Sequence, residues 1–267
     1  MFSKINNYGY ITKWMMTMEW QAKIQRLYHT LLLTLGQCDL CGNNLNSNNL
    51  GSKSIPSQTL ICSCCFTDLS LFKQEIIQGD LLNWPAVNKA LPNIHFDHLF
   101  CLAPYLAPFT QWLPQFKYQG RFELASLFAN LLAQQWLQQY LIKPASSTVL
   151  MLSVPLHSSK WQVRGYNQAH LIAKRFAHYL QLPYDNKALI RIKKNNSQVG
   201  QTGSQRRSNL GNAFILAKAF PNDIKHIILV DDVLTTGSTA SEISKLLKQA
   251  GVEKVTVVAV CLTLPSS

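Results

Sequence analysis

Acidic residues are scarce in this chain, and the scarcity is local. The 267 residues include 13 Asp and Glu against 25 Lys and Arg, which gives a formal net charge of +12. Between Met151 and Ala217 there are ten Lys and Arg and one acid, Asp185, so this stretch supplies +9 of the excess. Two other segments are balanced: 37–150 has six basic and six acidic residues, and 218–267 has five of each. The basic stretch indicates an anionic partner such as a diphosphate or a nucleic acid, with a solvated basic face as the alternative.

Long apolar runs are missing as well. No stretch of the sequence reaches the roughly 18 apolar residues of a membrane span, so we expect no membrane insertion. The segment 1–10 is polar and lacks the apolar core of a signal peptide, which predicts a cytoplasmic protein. With 47% hydrophobic residues the chain can bury a core, and its length suits one large domain or two of unequal size.

The seven cysteines are unevenly placed. Cys38 and Cys41 form one C-x-x-C pair, Cys62 and Cys65 form a second, and twenty residues separate the two pairs. This spacing is at the upper edge of that of a four-cysteine zinc site, in which two pairs supply a tetrahedron of thiolates. In a reducing compartment the pattern favours a structural Zn²⁺ over disulfides. Four unrelated thiols are the alternative, and Cys64 competes with Cys65 for the last ligand position.

The most informative stretch runs from His226 to Thr239. Four apolar residues (227–230) predict a buried strand, two adjacent acids follow, and a loop of hydroxyl residues with one glycine leads into a helix. Carboxylates at a strand end can accept hydrogen bonds from ribose hydroxyls, and the N–H groups at a helix N-terminus can hold a phosphate. An ordinary turn capped by Thr239 and Glu242 is the alternative, but it does not account for the paired acids. The predicted site residues are Asp231, Asp232, Val233, Leu234, Thr235, Thr236, Gly237, Ser238 and Thr239.

Strand and helix patterns alternate along the rest of the chain. Apolar runs predict strands over 100–106, 148–154, 189–192 and 255–262, and helical periodicity appears around 69–78 and over 124–132, 166–182 and 243–250. Alternation of this kind predicts an α/β fold with a parallel sheet flanked by helices, in which ligands lie at the carboxyl ends of the strands.

Two further segments carry positive charge and open at the same predicted edge. The first is a loop after the strand 148–154, and a cationic loop there can neutralise a pyrophosphate leaving group. Its candidate residues are His157, Lys160, Arg164, Gly165, Tyr166 and Asn167. The second is a long polar loop of about 20 residues, a length typical of functional lids or of disordered segments. Its candidate residues for ligand or DNA contact are Lys193, Lys194, Gln198, Gln201, Arg206 and Arg207.

These motifs together resemble a known family. The stretch 226–239 is similar to the phosphoribosyl-pyrophosphate (PRPP) motif of type I phosphoribosyltransferases. It follows, in order, the cysteine pairs, Phe-Lys-Tyr-Gln-Gly (116–120), Val-Pro-Leu-His (154–157), Arg-Gly-Tyr-Asn-Gln-Ala (164–169) and Arg-x-Asn-Leu (207–210). That order resembles the ComF/GntX family of competence-associated, phosphoribosyltransferase-like proteins over roughly residues 36 to 264. Lys160 departs from the family, which usually has arginine there.

The resemblance implies a PRPP site at 231–239, Mg²⁺ bound together with PRPP, and a zinc finger formed by the two cysteine pairs. It also implies a role in DNA uptake by natural transformation or in the use of external DNA, with other DNA-uptake proteins as possible partners. We expect an N-terminal extension (1–35), a zinc-finger-like module (36–80) and a phosphoribosyltransferase-like domain (98–264).

Three hypotheses about function follow. The favoured one is a phosphoribosyltransferase with an unidentified acceptor. The alternatives are a non-enzymatic factor that binds single-stranded DNA and a phosphate-sensing regulator. The intact acid pair favours PRPP binding in each case, and the basic stretch, with the possible stacking residues Trp161 and Tyr166, favours single-stranded DNA as an additional partner.

Overall fold

A five-stranded parallel sheet forms the centre of the protein. The computed structural model describes residues 35–45, 60–139, 148–192 and 213–263. Within them the strands are β1 (His98–Pro104), β2 (Val149–Ser153), β3 (Tyr184–Asp185), β4 (Leu189–Arg191), β5 (Phe214–Leu216), β6 (His226–Leu234) and β7 (Lys254–Leu262). The sheet has the order β1-β7-β6-β2-β3, while β4 and β5 form a separate antiparallel pair.

Helices cover both faces of the sheet. They are α1 (Ser63–Thr67), α2 (Pro85–Ala90), α3 (Phe109–Tyr118), α4 (Leu124–Gln139), α5 (Ser158–Arg164), α6 (Gln168–Leu180) and α7 (Ser238–Gln249), with a 3₁₀ turn at Leu81–Asn83. Among the described residues, no helix combines the length and the apolar character needed to cross a membrane.

Alternate residues of β6 belong to two hydrophobic cores, one on each face, as expected for a sheet covered on both sides. Ile228 and Val230 belong to the core that α3, α4 and α6 complete. Ile227 and Leu229 belong to the other core, which contains residues of α2 and α7. The parallel α/β fold predicted from the sequence is therefore confirmed.

The connections place a crevice between β2 and β6. These neighbouring strands pair in register, with Ser153 opposite Val230. Of the helices between β2 and β3, α6 packs on one face of the sheet, whereas α7, which follows β6, packs on the other. Because the chain leaves the two strands in opposite directions, their carboxyl ends border an open crevice, the usual place for a ligand in this class of fold.

Most of the predicted elements are found close to the expected bounds, but two predictions are wrong. Residues 69–78 form no helix, because the N–H of Phe72 donates to the carbonyl of Leu102 and the Gln74 side chain donates to the carbonyl of Cys101. These bonds tie Phe72 and Gln74 to β1, the edge strand, and residues 74–79 form turns. The cationic segment after the strand 148–154 was expected to be a loop, but its residues 158–164 form α5.

Candidate functional site

The acid pair lies on β6 at the crevice. The backbone N–H of Asp232 donates to Oδ1 of Asp231 at 2.8 Å, and Nζ of Lys117 lies 3.0 Å from Oδ2 of Asp232. Burial, and then repulsion from Asp232, raises the pKa of Asp231 to about 7. The negative charge of the pair is therefore partly neutralised by a lysine of α3, which is distant along the chain.

The loop after the acid pair ends in the first turn of α7. Gly237 has a φ of 67°, and a Cβ at this position would lie 3.3 Å from Cδ2 of Leu91, so both the backbone and the packing favour glycine. The hydroxyls of Thr236 and Ser238 are 2.7 Å apart. Ser238 opens α7, whose twelve residues place the positive end of a helix dipole at the loop. Thr235 is exposed, and Thr239 is half-buried. Val233 and Leu234 complete β6.

The first cationic segment is not an open loop. Residues 158–164 form α5, and His157 precedes it with a carbonyl that accepts from the N–H groups of Lys160 and Trp161. Gly165 then turns the chain with a φ of 74°. The Asn167 side chain accepts from the N–H of His170 and donates to the carbonyl of Val154, so it caps α6 and ties it to the end of β2.

Lys160 lies within electrostatic range of both Asp232 and Arg164. The Arg164 guanidinium lies 5.0 Å from the centre of the Tyr118 ring and donates to its hydroxyl at 3.0 Å and to Gln168 Oε1 at 3.2 Å. Burial lowers the pKa of Lys160, and the nearby charges of Arg164, Arg191 and Lys117 lower it further. Several cations are thus gathered within electrostatic reach of one another, as expected for a site that receives a multiply charged anion.

Two of these cations were not among the residues proposed from the sequence. Lys117 belongs to the Phe-Lys-Tyr-Gln-Gly motif, which was recognised but given no role. Arg191 ends β4, with its guanidinium 5.2 Å from the centre of the Phe214 ring, and burial lowers its pKa while the charge of Asp231 opposes that shift. The motif was the available signal for Lys117. For Arg191 the sequence offered only its position beside the long polar loop.

The second cationic segment lies largely outside the described residues, and so do its six candidates: Lys193, Lys194, Gln198, Gln201, Arg206 and Arg207. The strands on either side of it are described. Arg191 pairs with Phe214 at the open end of the antiparallel β4–β5 pair, so the two ends of the intervening segment lie next to each other. They also lie near the acid pair, as the electrostatic effect of Asp231 on Arg191 indicates.

Four cysteines meet near the N-terminal end of the described chain. One ligand atom from each of Cys38, Cys41, Cys62 and Cys65 lies within 4.8 Å of all the others. Sγ of Cys41 and Sγ of Cys62 are 3.7 Å apart, close to the value of about 3.8 Å that tetrahedral Zn–S bonds of about 2.3 Å require. Cys64 is exposed and does not belong to this group. The donor set and its geometry are compatible with a structural zinc.

Asp39 joins the cysteine cluster to α3 and to the residues that follow it. Asp39, between the first two cysteines, accepts two hydrogen bonds from the Arg121 guanidinium at 2.8 and 3.1 Å. Asp39 also accepts from Nε1 of Trp112 at 2.8 Å. The side chains of Arg121 and Asp39 are only 4% and 10% exposed, so this bidentate contact ties the cysteine segment to the chain just beyond α3, and Trp112 ties it to α3 itself.

The raised pKa of Asp231 leads to a prediction about stability. Its ordinary value is 3.8, and the fold raises it to about 7. The folded chain therefore holds more protons than the unfolded chain between these values, and its stability falls as the pH rises through this window. We expect Asp231→Asn to stabilise the protein at pH 8 by about 1 to 2 kcal/mol and to have little effect near pH 4. Thermal unfolding at the two pH values measures this, and an equal gain at both would contradict it.

The parallel sheet, the acid pair before a helix N-terminus and the facing cations define a phosphoribosyltransferase-like protein. Residues 164–265 match the family described as Phosphoribosyl transferase domain. Competence protein F of Haemophilus influenzae is 34% identical over 233 residues, which cover 83% of this chain and 94% of that protein. DNA utilization protein YhgH of Salmonella typhimurium is 30% identical over 241 residues, covering 88% and 100%. The chain therefore belongs to the ComF family, as its motifs predicted.

Two further similarities are more distant. Competence protein ComFC of Streptococcus pneumoniae is 28% identical over 143 residues, which cover 53% of this chain and 57% of that protein. A solved hypoxanthine phosphoribosyltransferase from Staphylococcus aureus is 18% identical, with a TM-score of 0.30. The matched region covers 52% of this chain and 62% of that enzyme. Neither similarity bears on the ligand of this site.

Proposed function

We propose that the crevice between β2 and β6 binds PRPP. The observation that carries the proposal is the acid pair on β6, directly before the hydroxyl loop and the N-terminus of α7. The carboxylates of Asp231 and Asp232 accept hydrogen bonds from the two ribose hydroxyls. The N–H groups of 235–239, with the hydroxyls of Thr236 and Ser238, hold the 5′-phosphate. Lys160 and Arg164 attract the diphosphate on the opposite side of the crevice.

Two metal ions accompany this proposal. Zn²⁺ is held by the four clustered cysteines and has a structural role, since four protein ligands leave no open coordination position. Mg²⁺ enters with PRPP, because it binds phosphate oxygens and retains several waters rather than occupying a cage made of protein ligands. Mg²⁺ would neutralise part of the charge of the diphosphate, while the carboxylates of Asp231 and Asp232 would orient the ribose.

Calorimetric titration with PRPP, with and without Mg²⁺, tests the proposal. We expect saturable binding that requires the divalent ion and is competed by ribose 5-phosphate and by pyrophosphate. If the folded protein gives no heat of binding with PRPP and shows no competition by the two other ligands, the proposal is refuted. Binding alone is predicted whether or not the protein transfers the ribosyl group, and release of pyrophosphate in the presence of nucleobases would add the transferase activity that we favour.

A second proposed function is binding of single-stranded DNA, in support of the uptake or use of external DNA in the cytoplasm. Two observations favour it: the relatives named as competence and DNA utilization proteins, and the +9 of the stretch from Met151 to Ala217. Trp161 is 51% exposed on α5, on the same short helix as Lys160 and Arg164. An exposed indole beside cations is suited to stacking on an unpaired base.

Reversing the charges of Arg206 and Arg207 to glutamate is expected to weaken single-stranded DNA binding by at least about tenfold at low salt. Each lost phosphate contact should also flatten the dependence of log affinity on log salt by about 0.7. Fluorescence anisotropy with a labelled oligonucleotide at several salt concentrations measures both effects. Lys225→Glu with Lys254→Glu is a matched control that removes two cations at the amino ends of β6 and β7. Equal losses for both double variants would mean that net charge, and not this segment, determines DNA binding.

A further inference from the structure

The last turn of α3 touches both halves of the crevice. Lys117 places its Nζ 3.0 Å from Oδ2 of Asp232, in the half that we assign to the ribose. The next residue, Tyr118, accepts a hydrogen bond from Arg164 at 3.0 Å and lies under its guanidinium, in the half that we assign to the diphosphate. Two consecutive residues therefore bridge the place where the sugar and the diphosphate must meet.

Neighbouring contacts keep this turn in position. The hydroxyl of Tyr166 donates to the carbonyl of Phe116, and the two aromatic rings lie 5.9 Å apart. The Lys117 side chain is 20% exposed and that of Asp232 is 13% exposed, so the ion pair is largely shielded from water. A shielded ammonium attracts anionic groups more strongly than one in bulk solvent does.

We infer that Lys117 is a ligand-binding residue that contacts the diphosphate of PRPP and forms an ion pair with Asp232 when no ligand is bound. This inference rests on the proposed PRPP site. When the ribose hydroxyls donate to Asp232, they take up acceptor positions that Lys117 holds in the free protein. An ammonium group can only donate, so it turns to the nearest acceptors that remain, the diphosphate oxygens. Its electrostatic effect on Lys160 shows that Lys117 also lies within range of the other cations of the crevice.

The cysteine cluster holds Lys117 in place through α3. Arg121 binds Asp39 with two hydrogen bonds, and it also donates to Oε1 of Gln115 at 2.7 Å, within α3 itself. Trp112, one turn earlier in α3, donates to the same carboxylate. Lys117 lies between these anchor points along the chain. Asp39 is therefore a positioning residue for the site: it contacts no ligand, but it fixes the helix that presents Lys117.

Replacing Lys117 by methionine separates this role from a merely structural ion pair. Both PRPP with Mg²⁺ and ribose 5-phosphate, which has no diphosphate, are titrated by calorimetry. We expect Lys117→Met to weaken PRPP binding by about 10- to 100-fold, since it removes a hydrogen bond between charged groups. Affinity for ribose 5-phosphate should stay unchanged or rise, because the ribose no longer competes with the ammonium for Asp232. Lys117→Arg should keep most of the PRPP affinity.

Failure of this inference can be distinguished from failure of the proposed function. Equal changes for the two ligands would overturn the inference and leave Lys117 as a partner of Asp232 alone. If the wild-type protein binds neither ligand, the proposed function itself fails. Lys225→Met is the control, because Lys225 loses only a surface ion pair with Glu253 and should leave both affinities unchanged.

The positioning role of Asp39 has its own readout. Asp39→Asn should lower the ratio of PRPP affinity to ribose 5-phosphate affinity in the wild-type background but not in Lys117→Met, because the effect acts through Lys117. Trp112→Phe removes one donor to Asp39 and serves as a milder second variant should Asp39→Asn fold poorly. Zinc content and thermal unfolding are measured in parallel. A ratio that changes equally in both backgrounds would overturn the coupling.

Discussion

Replacing both acids of the pair, Asp231→Asn with Asp232→Asn, is expected to reduce PRPP affinity by at least about 100-fold. Each carboxylate is proposed to accept a hydrogen bond from a ribose hydroxyl, and a hydrogen bond to a charged group contributes about 1.5 to 3 kcal/mol. Two such bonds correspond to a factor of roughly 10² to 10⁴ in the dissociation constant. The chain should stay folded, because the substitutions preserve shape and remove both the buried charge and the repulsion that together raise the pKa of Asp231.

Calorimetry with PRPP and Mg²⁺ measures this loss, and circular dichroism with thermal unfolding checks the fold. Asp223→Asn is the matched control, since it removes one exposed acid outside the sheet and should bind PRPP like the wild type. A folded double variant with affinity within a few-fold of the wild-type value would place the ligand elsewhere. Loss of binding in Asp223→Asn as well would indicate that overall charge, and not the acid pair, controls affinity.

The parts of the site that the sequence predicted are those that are contiguous along the chain. The strand, the acid pair, the hydroxyl loop and the helix start follow one another within 226–239, so their arrangement is largely fixed by the local path of the backbone. The cysteine pairs are similar, because each C-x-x-C places two thiols side by side. Only the meeting of the two pairs depends on tertiary structure.

The parts that the sequence did not predict depend on contacts between distant segments. Lys117 reaches Asp232 only because α3 packs in the same core as Ile228 and Val230 of β6, and no periodicity in the sequence records that contact. The helix α5 escaped prediction for a different reason. Trp161 and Val163 are 51% and 79% exposed, so α5 has no buried apolar stripe to produce a helical pattern. At 69–78 the pattern was misleading, because bonds to β1 compete with helix formation.

The cysteine cluster also couples two regions that the sequence presents as separate modules. Residues Cys38, Leu60, Ile61 and Leu69 belong to the same hydrophobic core as Phe100 of β1 and the helices α3 and α4. Together with the Asp39–Arg121 ion pair, this packing means that disorder in the cysteine segment would reach α3. A metal bound by the cysteines therefore stabilises both the small module and the helix next to the acid pair.

Cys65→Ser is expected to reduce the zinc content from about one ion per chain to a small fraction and to lower the unfolding temperature. Three thiolates and a serine hydroxyl make a much weaker zinc site than four thiolates, and the free energy of zinc binding, about 10 to 16 kcal/mol in zinc-finger peptides, contributes directly to folding. The effect should extend to α3 and weaken PRPP binding, because the metal fixes the segment that carries Asp39.

Cys64→Ser is a closely matched control, since it changes the neighbouring thiol, which is exposed and lies outside the cluster. It should keep both the metal and the unfolding temperature. Elemental analysis of the purified variants measures zinc, and calorimetric unfolding, with and without a chelator, measures stability. If Cys64→Ser loses the ion while Cys65→Ser keeps it, the ligand assignment is wrong although the site survives. A wild-type protein that carries no zinc and is equally stable with and without chelator would refute the metal site, and the packing around Asp39 alone would then have to hold α3.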